Sequence, residues 1–145
     1  MATILDISEV RTFASDYAPN NYLIEGEEFS DDYITLCITL GVDAYNVMSP
    51  FSALTRDTFP SKSLLLYGTC WHMFEGKAAL LARNTMNYSD GGIQIPVEER
   101  FELYKNIANS FKATFDERAR ALKINSNMES GWGGVRSDQA SLPYW

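Results

Sequence analysis

One histidine and two cysteines hold most of the reactive chemistry in this chain of 145 residues. His72 follows Cys70 by two positions, inside the apolar run from Leu64 to Phe74. On a helix, side chains two apart diverge by about 200°, so these two cannot work as a thiolate–imidazole couple. His72 therefore reads as a core or interface histidine, and with one imidazole in the chain a His-rich metal site is excluded. Cys37 and Cys70 both fall in apolar helical stretches, where buried thiols are expected rather than a disulfide, as suits a reducing compartment. Ser89-Asp90-Gly91-Gly92 has neither the Gly-Lys-Ser/Thr ending nor the preceding strand of a phosphate loop. Glu98, Glu99 and Glu102 carry cation-binding oxygens, but together they read as a solvated helix start. No catalytic, cofactor-binding or metal-binding residue is expected, and the chain is read as a non-enzyme.

The other chemistry is recognition, and it is concentrated in the last 21 residues, Asn125 to Trp145. Gly131, Gly133, Gly134 and Pro143 argue against a helix continuing beyond Ile124. Gly131-Trp132-Gly133-Gly134 reads as a joint. The segment is too apolar for a solubilising tail. Trp132, Val135, Leu142, Pro143, Tyr144 and Trp145 offer anchors, and Arg136 offers a charge-assisted hydrogen bond. Fully extended it would reach about 70 Å, at about 3.3 Å per residue. Residues 125–145 are thus expected to form an extended docking arm, mobile in the free subunit and ordered in a complex. The arm's target is open: its own domain, a sister subunit or another protein.

The elements that must position this arm are helices. Asp6 and Glu9 form a capping box for a first helix reaching about Tyr17. Ser30-Asp31-Asp32 opens a second, to about Met48, through a hydroxyl cap and two acids at the positive end of the dipole. It carries two apolar stripes, one through Tyr33, Leu36, Cys37, Leu40, Ala44 and Val47 and one through Ile34, Ile38, Tyr45 and Met48, implying burial on two sides. Ser49-Pro50 is expected to start a short helical turn reaching Arg56. A third helix, from about Ser61 to Asn87, is apolar nearly all round in its first half and should be central. Gly68 and Gly76 in it suggest close neighbours. Pro96 opens the fourth, ending at Ile124. In that helix Phe101, Tyr104, Ala108, Phe111, Phe115, Ala119 and Leu122 recur three or four apart, the clearest amphipathic stripe in the chain. The fold class is therefore all-α: a bundle of four main helices over residues 1–124, with no sheet of more than two strands. Trp71, Met73 and Phe74 should be buried against Phe111 and Phe115.

Hydrophobic residues make up 46% of the chain, enough for a packed core without staples. No apolar run is long enough to cross a bilayer, and no secretory signal is visible. The net charge of −7 is uneven: residues 1–60 hold ten acids and two bases, whereas residues 61–145 hold nine acids and ten bases. That asymmetry offers a basis for head-to-tail packing between subunits, beside the plainer alternative of a solvated acidic surface. A generally basic grip on nucleic acid is not expected.

From Ser61 to Trp145 the order of parts resembles the head–tail connector proteins, the adaptor or neck class, of tailed double-stranded DNA bacteriophages. The resemblance is carried by Leu81-Ala82-Arg83-Asn84, Tyr88-Ser89-Asp90-Gly91-Gly92, Glu102-Leu103-Tyr104 and the exit Asn125-Ser126-Asn127. It implies a small helical bundle forming a dodecameric ring beneath the portal protein, made in the host cytoplasm and resident at the head–tail junction of the virion. It implies an arm reaching the portal, a downstream tail or neck protein below the ring, and DNA passing through without specific binding. No membrane partner is implied. The chain departs from that class in its first 30 residues and in showing no β-hairpin insertion. The alternative reading is a non-virion helical regulatory protein that binds a partner protein through the same arm.

Overall fold

The computed structural model describes residues 4–22, 24–84, 89–90, 93–94 and 98–132. The described chain is all-helical apart from one short ladder. Its elements are α1 (Ile7–Ala14), a 3-10 turn (Ala18–Asn20), α2 (Asp31–Asn46), α3 (Lys62–Arg83) and α4 (Glu98–Trp132). Between α3 and α4, Ser89–Asp90 pairs antiparallel with Ile93–Gln94, with Ser89 opposite Gln94 and Asp90 opposite Ile93. This minimal ladder corrects the expectation of no hairpin and stays within the limit of two strands.

The helix starts follow from their caps. The Glu9 carboxylate accepts from the Asp6 backbone N–H at 2.9 Å, closing the expected box. The Ser30 and Ser61 hydroxyls accept from the N–H groups of Tyr33 and Leu64. The ends differ more. α1 stops at Ala14, short of Tyr17, because Ser15 turns left-handed at φ 55°. α2 stops at Asn46, and the expected helical turn from Ser49-Pro50 to Arg56 is absent. Asn46 captures the loop instead, accepting from the N–H of Leu54 at 3.0 Å and donating to its carbonyl at 2.9 Å. α3 ends at Arg83, where the Asn84 N–H bonds back to Leu80 and Leu81.

α4 runs on past Ile124 to Trp132, so residues 125–132 are helix and not extended arm. Asn, Ser and one Gly cost at most about 1 kcal/mol each against Ala, and continuing a formed helix needs no new nucleus. Over 35 residues α4 is about 52 Å long, against about 33 Å for the 22 residues of α3, at about 1.5 Å per residue.

α3 is central as expected, packing on α2 and on α4, with α1 laid across both α2 and α3. At the crossing, a Cβ placed on Gly68 would lie 2.8 Å from the Phe115 ring and 3.4 Å from the Gly41 Cα. A Cβ on Gly76 would strike the Tyr33 hydroxyl at 1.8 Å. A side chain at Gly68 would displace the Phe115 ring and one at Gly76 the Tyr33 hydroxyl, so both glycines have the close neighbour that their use in a helix suggested. Met73 and Phe115 are fully buried, whereas Trp71, Phe74 and Phe111 are only partly so, which corrects the expectation for those three. On α2 the stripe through Ile34, Ile38 and Tyr45 enters the core. The other stripe divides: Cys37 is buried and Tyr33 and Ala44 pack against the core, but Leu36, Leu40 and Val47 stay 52%, 38% and 67% exposed.

Candidate partner-binding surfaces

The reactive side chains lie in the core and not in an open site. Cys37 and Cys70 are buried, and burial pushes their thiols up to about 11 and about 12 respectively. They are held as unreactive thiols. The His72 ring stacks on Trp71 at 4.2 Å and bonds the Leu40 backbone carbonyl, while its Nε2 is buried without a hydrogen-bond partner. Burial lowers its pKa, outweighing the nearby Glu75 carboxylate, so the ring is neutral at pH 7. Among the described residues, no group of three or more His, Cys, Asp or Glu is placed to hold a metal ion. Among them, too, no helix is long and apolar enough to cross a membrane.

The polar side chains that are buried act on the fold. Arg11 and Asp16 are 5% and 3% exposed, and their charges meet at 2.9 Å. Asp16 also accepts from the N–H groups of Glu28 and Phe29 and from Asn21, tying residues 16–29 into one knot. Burial pulls the Arg11 pKa down, but Asp31, Glu27 and Asp16 outweigh it and leave it raised. Glu28 takes a proton donor from Tyr104 at 2.8 Å and an ion pair from Lys77 at 2.9 Å. Burial, with Glu28 adding to it, pushes the Tyr104 phenol up to about 12. In the cleft of about 370 Å³ between Asn20, Lys77, Arg100 and Tyr104, the Glu28, Lys77 and Tyr104 groups are therefore already bonded to one another, beside the exposed Tyr22 and Ile24. Lys123 is 4% exposed and donates at 2.7 Å to both the Pro50 carbonyl and the Ser52 hydroxyl, with its ammonium 4.3 Å from the Tyr45 ring centre. It pins the 47–60 loop onto α4, and burial lowers its pKa. Neither Arg11 nor Lys123 carried a sequence signal, since a buried base is told from a surface one by its partners' positions.

Among the described residues, exposed apolar side chains gather in several places, Tyr22 and Ile24 beside the cleft above among them, and three of these lie on or beside the long helices. The first is the exposed row of α2, Leu36, Leu40 and Val47, continued in sequence by Phe51 at 82% exposure. The second is an aromatic cluster where α1, α3 and α4 meet. Phe13, Tyr67 and Phe111 lie with ring centres 5.8–6.0 Å apart, and Leu103 and Ile107 extend the cluster along α4. The third is the free end of α4, where residues 124–131 are all exposed and Ile124 and Met128 are more than half so. Beside it, a cleft of about 510 Å³ opens between the 50–60 loop and residues Leu122–Glu129.

Of the residues expected to bind a partner, Trp132 is the last residue of α4. Val135, Arg136, Leu142, Pro143, Tyr144 and Trp145 lie outside the described residues. The sequence marks neither the α2 row nor the aromatic cluster as a binding surface: the first because its periodicity predicts a buried face, the second because Phe13, Leu103 and Ile107 belong to no predicted stripe. No protein-family model, curated protein or solved structure matches the chain.

Proposed function

We propose that this chain is a structural virion protein, a head-to-tail adaptor whose copies form a ring beneath the portal protein and extend the DNA channel. The observation that carries the reading is the overhang of α4. The helix outruns α3, and its last turns, exposed on every residue from 124 to 131, lead away from the core toward the aromatic segment 133–145. A stiff helical spacer ending in docking anchors suits a subunit that must reach a second ring. The resemblance of residues 61–145 supports the same reading. So does the acidic surface of residues 4–60, where Asp6, Glu9, Glu25, Glu27, Asp32 and Asp43 are all exposed. A channel wall of that sign lets DNA slide without gripping it.

In this reading the portal receives the arm, a tail or neck protein meets the opposite face, and DNA makes no specific contact. The test is truncation after Ile124. The shortened chain should keep its bundle and thermal transition, since residues 125–131 are exposed, yet should no longer join particles. Incorporation at unchanged level would remove the arm from the mechanism. Purified virions should hold the protein at ring stoichiometry. Its confinement to infected-cell cytosol would favour instead a regulatory protein using the same arm.

A further inference from the structure

We propose that the exposed row of α2 and the aromatic cluster beside α1 are the two halves of one contact between copies of this chain, the α2 row of one copy seated on the cluster of the next. The proposal rests on the ring reading for closure and adds the surfaces that close it. The two differ in charge. α2 carries Asp31, Asp32 and Asp43 and no Lys or Arg, and Asp32, Leu36, Leu40, Asp43 and Val47 recur at spacings of 4, 4, 3 and 4 along its exposed side. Two bases flank the cluster, and Glu9, one turn before Phe13 on α1, is paired with Lys62. The Arg118 guanidinium sits 4.8 Å from the Tyr67 ring centre, and Leu103, Ile107 and Phe111 fall on one row of α4 that Arg100 flanks on the same shoulder. Glu117 is adjacent in sequence to Arg118, but its side chain points about 100° further round the helix. Two α2 rows face to face would oppose acids to acids; an α2 row on the cluster opposes acids to bases around an apolar centre. A contact between two different patches is heterologous, and repeated with a closing rotation it makes a ring.

Cross-linking tests this directly, because Cys37 and Cys70 are buried and leave introduced thiols as the reactive ones. Leu40→Cys and Ile107→Cys change side chains that are 38% and 41% exposed, so the fold should hold. With a short bis-maleimide at millimolar protein, each single variant alone should stay uncross-linked. Their equimolar mixture should give dimers only, and L40C/I107C in one chain should give a ladder. Asp43→Arg or Arg118→Asp added to the double-cysteine chain should thin the ladder, and both together should restore it. Homodimers from either single variant, or no ladder from the double-cysteine chain, would overturn the proposal. Failure of the adaptor reading is separately visible: a ladder from a protein absent from virions keeps this interface and removes the adaptor. Ring stoichiometry in virions without a 40–107 link does the reverse.

Discussion

The crossing of α2, α3 and α4 and the segment joining α1 to α2 bury their atoms by opposite means. At the crossing, Gly41 and Gly68 bring the backbones of α2 and α3 together, the Phe115 ring packs on Gly68, and the core around them, with Ile38, Leu65, Met73 and Ala119, is largely apolar. In the segment from Arg11 to Asp31, the same degree of burial is reached with charges. Asp16 collects four donors, and Arg11 reaches Asp16, the Phe29 carbonyl and Asp31. The first region gains by removing apolar area from water. The second trades hydration for hydrogen bonds of similar strength, so its net gain is small while the loss of any one partner is large. A region of the first kind resists change through volume; one of the second kind holds a loop in one shape.

The most severe disruption of this contrast should come from Phe115→Ala. The ring is fully buried and packed on Gly68, and removing it should cost about 3–5 kcal/mol. Chemical denaturation would measure it. A loss under about 1 kcal/mol would mean that α4 is not docked on the glycine pair. Gly68→Ala should destabilise through overpacking, and in a Phe115→Leu background its cost should shrink, since the atom it strikes is gone.

Arg11→Met should come next. It leaves the Asp16 carboxylate buried without a counter-charge, for which about 3 kcal/mol is expected. That is the low end of the range, because three neutral donors to Asp16 remain, and Asp31 and Glu27, at 69% and 51% exposure, are screened and add little. Hydrogen exchange should show the loss confined to residues 15–30, with α3 and α4 protected as before. Uniform loss across the bundle would erase the distinction between the two regions.

The same contrast explains what the sequence could reveal. α4's stripe, α3's centrality and the close approach at Gly68 and Gly76 were legible, because apolar spacing and an awkward glycine have a local physical cause. The α1 boundary, the 47–60 loop and the roles of Arg11 and Lys123 were not. Arg11 and Lys123 are decided by partners distant in sequence, Phe29 and Pro50, the 47–60 loop by Asn46 holding Leu54, and the α1 boundary by the left-handed turn at Ser15, a residue with no strong preference for it. The Leu36-Leu40-Val47 row shows the limit from the other side, for periodicity marks an apolar face without saying whether the same chain covers it.

His72 allows a subtler probe, since it puts one ionisable group inside the apolar region. Its pKa is lowered in the folded chain by burial, so in acid the unfolded state takes up a proton more readily than the native one. Its contribution is therefore fully present above the unfolded value near pH 6.5 and is lost as pH falls through 6.5 toward the lowered folded value. His72→Gln should flatten the stability profile in that window and leave it unchanged near pH 8. An unchanged slope would mean that the ring is hydrated and not held in the apolar layer.

The smallest global effect is expected at the α4 overhang, which belongs to neither region. A Cβ on Gly131 would meet nothing within 4 Å, and residues 124–131 touch water on every side chain. Gly131→Ala should therefore raise local helix stability by about 1 kcal/mol while global unfolding shifts by less than about 0.5 kcal/mol. The two outcomes separate because fraying of the last turns is not part of the cooperative transition. Amide exchange at residues 128–132 should slow while the thermal midpoint stays fixed. If instead the midpoint rises with the local protection, the overhang is coupled to the core. It would then have to be counted with the bundle rather than as a spacer between the bundle and the arm.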